Sequence, residues 1–175
     1  MDIAYIDLMQ SYVKTTPAIL AYKALNHNID KFWIDWAVDM LMNGFDTEHL
    51  VILAGISQPY DQLEFQALTD KVLAELTLDY SNRDEAIRGY VRYLIQTSST
   101  EELTITLSLK LLRELRDLYH EPDYDSNLAV FFSLYYEVDD LQQDEVQWYV
   151  DDMDRSNMLS VVKNTFAQWL NENPN

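Results

Sequence analysis

Apolar residues recur at helical spacing along most of this chain. The clearest stretch lies in residues 29–41, where apolar side chains occupy positions i, i+3, i+4 and i+7 of one helical face. The residues of that face are Ile29, Phe32, Trp33, Trp36, Ala37, Met40 and Leu41. The pattern predicts an amphipathic helix that ends at Gly44, because glycine is common just beyond a helix C-terminus.

Start and stop signals divide the rest of the first half into four more predicted helices, over residues 3–14, 17–26, 50–54 and 61–76. Thr16 and Pro17 have the order of an N-cap followed by a proline in the first turn. We expect Asp46 to cap the helix over residues 50–54. A break is predicted at residues 55–59, which begin with glycine and end with proline.

The second half carries five more apolar runs at helical spacing, in residues 86–95, 103–118, 128–138, 146–153 and 158–169. The first two runs follow residue pairs with the spacing of a capping box, in which two side chains close the first turn of a helix. These pairs are Ser81 with Asp84 and Ser99 with Glu102.

The small number of turn residues favours helices throughout. The 175 residues include three glycines and four prolines, whereas a sheet-rich chain of this length needs many more. We therefore predict an all-α fold of about eight to ten helices in a single helical domain over residues 1–175. A compact multi-helix bundle and an irregular αα-array both fit the short connections.

The charge of the chain restricts its partners. Thirty acidic and twelve basic side chains give a formal net charge of −18. Such a charge repels phosphate backbones and anionic lipid head groups, so we expect no direct binding to nucleic acid or to a membrane. Aromatic residues make up 13% of the chain, far more than in a disordered acidic tail. The expected partner is a cationic protein.

Cysteine usage and the ends of the chain bear on its location. No cysteine is present, which excludes disulfides, thiolate zinc sites and cysteine nucleophiles. Asp2 and Asp7 lie where a secretory signal needs basic residues before an apolar run. The longest nearly uncharged stretch, residues 127–136, is shorter than the roughly twenty residues of a membrane-spanning helix. A cytoplasmic location is therefore expected.

Acidic residues concentrate near the end of the chain, where residues 137–154 contain eight Asp and Glu residues and no Lys or Arg. Trp148 falls on the acidic side of the helix predicted over residues 146–153, so we expect it to be the most exposed tryptophan. The other three, Trp33, Trp36 and Trp169, fall on apolar faces and are predicted to be buried.

An exposed aromatic side chain among carboxylates is typical of a binding surface for a cationic partner, since the ring supplies contact area and the acids steer the encounter. The predicted partner-binding residues are Glu137, Asp139, Asp140, Asp144, Glu145, Trp148, Asp151 and Asp152. The alternative is that this run is only a solvated helix face.

Signals for catalysis or metal binding are sparse. Asp46 with His49 and Asp117 with His120 form two D-x-x-H pairs, which on helices would aim both side chains the same way. The calcium loop motif, the nucleophile elbow and phosphate-binding glycine loops do not occur. We expect no cofactor, no catalytic residues and no enzymatic activity; a metal-binding or hydrolytic protein using these two pairs is the alternative.

One segment resembles known proteins. Residues 36–55, WAVDMLMNGFDTEHLVILAG, fit the pattern W-A-x3-L-x2-G-x-D-[ST]-x2-L-x2-L-A-G. The segment is similar to one found in uncharacterised bacterial helical proteins, some of which are encoded beside toxins and are suspected immunity proteins. The resemblance covers about a ninth of the chain. It implies a bacterial origin and supports the immunity class, and with the acidic composition it suggests a protein that blocks a basic toxin such as a nuclease.

Overall fold

A computed structural model describes residues 12–100, 103–119, 126–145, 147–148 and 150–174, with the side chains of residues 99, 100 and 126 left out. The described residues form eight α-helices and one 3-10 helix and contain no strand. The all-α prediction and the predicted number of helices are confirmed.

The helices follow one another with short connections. They are α1 (Thr16–Ala24), α2 (Lys31–Met42), α3 (Glu48–Ala54), α4 (Gln62–Glu75), α5 (Arg83–Thr100), α6 (Ile105–Tyr119), α7 (Ala129–Gln143) and α8 (Met158–Glu172), with the 3-10 helix at Ser126–Leu128 before α7. Of the helix predicted over residues 3–14, residues 3–11 lie outside the described part of the chain. Residues 12–14 are described and form a bend and a turn.

Contacts divide the chain into two compact units, Met1–Tyr90 and Val91–Asn175, with the division inside α5. In the first unit, α3 packs against both α2 and α4. Its core contains Trp33, Trp36, Met40, Leu50, Leu53 and Leu73. In the second unit, α6 packs against α7 and α8. Its buried residues include Leu112, Leu115, Phe131, Val138, Val162 and Phe166. The single-domain expectation stays a prediction.

Aspartate side chains cap two helices of the first unit. The Asp30 side chain accepts a hydrogen bond from the Phe32 N–H, so it caps α2. The Asp61 side chain accepts from the N–H groups of Leu63 and Glu64 and caps α4. After α2, Gly44 has a φ of 92°, the left-handed conformation in which glycine ends a helix without strain.

The predicted cap of α3 is wrong. Asp46 lies one residue before the N-cap position, which Thr47 occupies. Glu75 at the end of α4 supplies the missing acceptor instead, because its carboxylate accepts the backbone N–H of His49 at 3.1 Å. A side chain distant in sequence thus satisfies a first-turn donor, which local spacing cannot reveal.

Both capping-box predictions also fail. The box at the start of α5 lies one residue later than predicted: Asn82 accepts from the Glu85 N–H and donates to the Glu85 side chain, each at 3.2 Å. Ser99 lies within α5, which continues to Thr100, and Glu102 is outside the described residues. At the start of α6, the Thr104 hydroxyl accepts from the Leu107 N–H.

The helix predicted over residues 146–153 is wrong as well. The described residues between α7 and α8 form bends and turns, and Val146 and Tyr149 lie outside the described part. Asp144 ends α7 in an extended conformation, and Asp152 has a φ of 62° that a right-handed helix excludes. The segment is too short for its apolar spacing to distinguish a helix from a turn. The turn here also buries an apolar residue of the pattern, Met153.

Candidate partner-binding site

Trp148 is the most exposed tryptophan of the chain. Its side chain is 85% exposed, whereas Trp33, Trp36 and Trp169 are 0%, 1% and 4% exposed. The predicted contrast is confirmed, although its reason is different, because Trp148 lies on a loop and not on the polar side of a helix. We call residues 144–157, between α7 and α8, the Trp148 loop.

Arg155 fixes the two ends of this loop. Its guanidinium donates to the carbonyl oxygen of Leu141 at 2.7 Å through Nε, and to that of Asp144 at 2.9 Å through Nη2. Both carbonyls lie at the C-terminal end of α7, where backbone acceptors have no partner within the helix. The arginine therefore caps α7 and holds the loop against it.

Side-chain amides fix the turn that presents the tryptophan. Gln147 donates to the carbonyls of Val150 and Met153 and accepts from the Val150 N–H. Asn157 donates to the Asp152 carbonyl at 2.7 Å. These bonds satisfy several backbone groups of the described loop residues from within the chain.

One of the loop's carboxylates serves the fold. Asp154 accepts hydrogen bonds from the backbone N–H groups of Ser156 and Asn157 and from the Ser156 hydroxyl. The Ser156 hydrogen bonds lower the pKa of Asp154 below its usual value. This carboxylate therefore organises the approach to α8.

Four other carboxylates of the loop face solvent: Asp144, Glu145, Asp151 and Asp152. None of them forms an ion pair with a described residue. The guanidinium of Arg155 donates to backbone carbonyls instead. The loop therefore presents one exposed indole and four exposed carboxylates, none of them ion-paired with a described residue.

The α7 residues of the predicted site are placed differently. Asp139 and Asp140 are half-buried, and Glu137 is fully buried. Its inclusion in an exposed surface is wrong, because the side chain lies on the same helical face as the buried residues Leu134, Val138 and Leu141. The site therefore reduces to the loop and the end of α7.

The two predicted metal-ligand pairs are not supported by the geometry. His49 Nδ1 pairs with the Glu75 carboxylate, and this hydrogen bond lowers the pKa of Glu75. Asp117 pairs with Arg116, and His120 lies outside the described residues. Within the described part of the chain, no group of three or more His, Asp or Glu side chains is placed to hold a metal ion.

Sequence reasoning missed Arg155 and Gln147, which shape the loop. A possible signal is that both are long polar side chains beside an acidic run, but their acceptors are backbone carbonyls that no sequence pattern identifies.

Comparison with protein families, curated proteins and solved structures finds no match to this chain. None of the described helices combines the length and the apolar character that crossing a bilayer requires.

Proposed function

We propose that this chain is a binding protein that uses the Trp148 loop to hold a cationic protein partner. The observation that carries the proposal is the exposure of Trp148 on a loop whose backbone is already hydrogen-bonded. A large apolar ring in water gains contact energy only when a partner covers it. Hydrogen bonds that already hold part of the loop backbone reduce the entropy lost on binding.

The charges around the ring specify the partner. The four exposed carboxylates attract a basic surface and speed its encounter with the loop. A nuclease toxin offers such a surface, because its active-site groove must attract phosphate. An immunity protein that occupies this groove fits the acidic loop and the resemblance of residues 36–55. No catalytic step is part of this proposal.

The test takes a basic protein from among the products of the neighbouring genes and measures association and dissociation rates by surface plasmon resonance. Replacing Asp144, Asp151 and Asp152 by Asn should slow association about tenfold or more at low salt, because charge acts mainly on encounter. Trp148→Ala should instead speed dissociation, with a loss of about 2 kcal/mol or more if the ring is a hot spot.

A matched control removes three exposed negative charges from the other unit, with Asp39→Asn, Asp46→Asn and Glu48→Gln. It should slow association much less than the loop triple variant, since the net charge is the same and only the position differs. Equal effects of the two triple variants, together with no effect of Trp148→Ala, would show that the loop is only solvated surface.

A further inference from the structure

A charged side chain is buried in the first unit. Lys23, in α1, is only 5% exposed, and its ammonium group points at α4. Lys23 Nζ donates to the Gln66 carbonyl at 2.9 Å, the Gln66 side chain at 2.8 Å and the Thr69 hydroxyl at 2.9 Å. These three acceptors are neutral, so none of them balances its charge.

The balancing charge comes from Asp70. Its Oδ1 lies 2.7 Å from Lys23 Nζ, and the carboxylate is half in solvent, with 51% exposure. The same oxygen accepts from the Tyr80 hydroxyl at 2.7 Å, and the Tyr80 ring lies 5.9 Å from Lys23 Nζ. One carboxylate thus joins α1, α4 and the segment that follows α4.

We infer that Lys23, Asp70 and Tyr80 form a pH-sensitive latch, which holds α1 against α4 near neutral pH and weakens in both acid and alkali. A buried cation is costly unless an opposite charge compensates it. Acid protonates Asp70 and leaves Lys23 with neutral acceptors only. Alkali removes the Tyr80 hydroxyl proton, so the hydrogen bond to Asp70 is lost and two negatively charged oxygens face each other.

The direction of each pKa shift agrees with this arrangement. Burial by itself raises the pKa of Asp70, but the hydrogen bonds from Lys23 and Tyr80 and the Lys23 charge outweigh it, and the pKa is lowered. The hydrogen bond to Asp70, followed by burial and the charges of Asp70 and Asp79, raises the pKa of Tyr80 to about 12.

The pH window follows from these directions. A lowered carboxyl pKa contributes stability above its ordinary value of about 4, and that stability is lost as the pH falls further. A raised phenol pKa contributes stability below its ordinary value of about 10, and that stability is lost as the pH rises toward 12. The latch is therefore closed between about pH 4 and pH 10.

The experiment compares urea unfolding of the full chain with that of two variants from pH 3 to pH 11.5. Asp70→Asn should raise the unfolding equilibrium constant about fivefold at pH 7, the upper range for a half-exposed pair. The difference from wild type should shrink as the pH falls from about 4 toward 3. Tyr80→Phe keeps the Lys23–Asp70 pair, and its difference from wild type should be largest near neutral pH and shrink on both sides.

Asp39→Asn, which removes an exposed negative charge in the same unit, is the control for net charge. A local readout is the solvent exchange of the Trp36 indole N–H, which donates to the α1 residue Thr16 at 3.1 Å. It should accelerate in Asp70→Asn, while the Trp169 indole in the other unit should not change. If the stability of each variant relative to wild type does not change with pH, the latch does not exist. Should Asp70→Asn fail to fold, the Tyr80→Phe profile alone decides.

Discussion

Trp148 and Trp36 show how differently the chain uses the same side chain. Trp36 is 1% exposed, and its indole N–H donates to the Thr16 hydroxyl, so both its ring and its polar atom are satisfied in the core. Trp148 keeps 85% of its surface in water. Single exposed apolar residues are common. An exposed tryptophan on a hydrogen-bonded loop adds little stability to the fold, but it offers a large contact area to a partner.

This contrast can be measured without a partner. Acrylamide should quench one tryptophan strongly and three weakly in the free protein, and Trp148→Phe should remove the strongly quenched component. Because the ring is exposed, this substitution should change the free energy of unfolding by less than about 0.5 kcal/mol. Trp36→Phe is the control: it deletes a buried hydrogen bond and should cost about 1–3 kcal/mol. Strong quenching that persists in Trp148→Phe would contradict the placement of the ring.

The sequence predicts the burial of individual residues correctly where they lie on a long apolar helix face. Trp33, Trp36 and Trp169 are buried as predicted because each lies on such a face. Glu137 is the exception, because its charge predicts exposure whereas its position in α7 predicts burial. It lies three residues after Leu134 and four before Leu141, and this spacing alone indicates the buried side of α7.

Helix caps decide where the elements begin, and two aspartates of the first unit offer a matched comparison. Asp61 accepts two backbone N–H groups at the start of α4, whereas Asp46 lies outside the cap of α3. Asp61→Ala should therefore lower the free energy of unfolding by about 1 kcal/mol. Asp46→Ala, an equal change of charge, should change it by less than about 0.5 kcal/mol. Urea denaturation measures both. If Asp46→Ala loses more free energy of unfolding than Asp61→Ala, Asp46 caps α3 as the spacing predicts.

The conformation of the Trp148 loop has its own test at Asp152. With a φ of 62°, this residue occupies the left-handed region, which costs alanine about 1–2 kcal/mol and glycine very little. Asp152→Gly should therefore be more stable than Asp152→Ala by about 1 kcal/mol in thermal or urea unfolding. In a helix the order would reverse by a similar amount, because alanine is the better helix former. The sign of this difference distinguishes the loop from the helix that apolar spacing predicts.

At the level of elements, the sequence predicted long helices better than their ends. Residues 158–169 and 31–41 form helices because their apolar faces pack on a core. The connection between α7 and α8 could not be predicted, since Arg155 and Gln147 reach backbone carbonyls several residues away. The α3 cap likewise depends on Glu75, which lies on another helix.

On the scale of the whole molecule, the net charge of −18 means that acidic groups repel one another in the folded state. Some of these charges are offset: Asp70 pairs with Lys23, and Asp35 pairs with Lys31. The four exposed carboxylates of the Trp148 loop form no ion pair with a described residue. They add repulsion to an acidic part of the chain, since residues 121–175 hold twelve acidic and two basic side chains. A fold that needs only to be stable gains nothing from this placement.

The last prediction therefore joins stability to binding. Salt shortens the screening length from about 30 Å at 0.01 M to about 8 Å at 0.15 M, so it should raise the melting temperature of the free protein. Replacing Asp144, Asp151 and Asp152 by Asn should raise that temperature by about 1–3 °C at low salt and by less at high salt, because these side chains mainly repel their neighbours. Differential scanning calorimetry at the two salt concentrations measures this. A lower melting temperature of the variant at both salt concentrations would show that the carboxylates stabilise the loop. A higher melting temperature together with slower association would show that these charges destabilise the fold and serve partner binding.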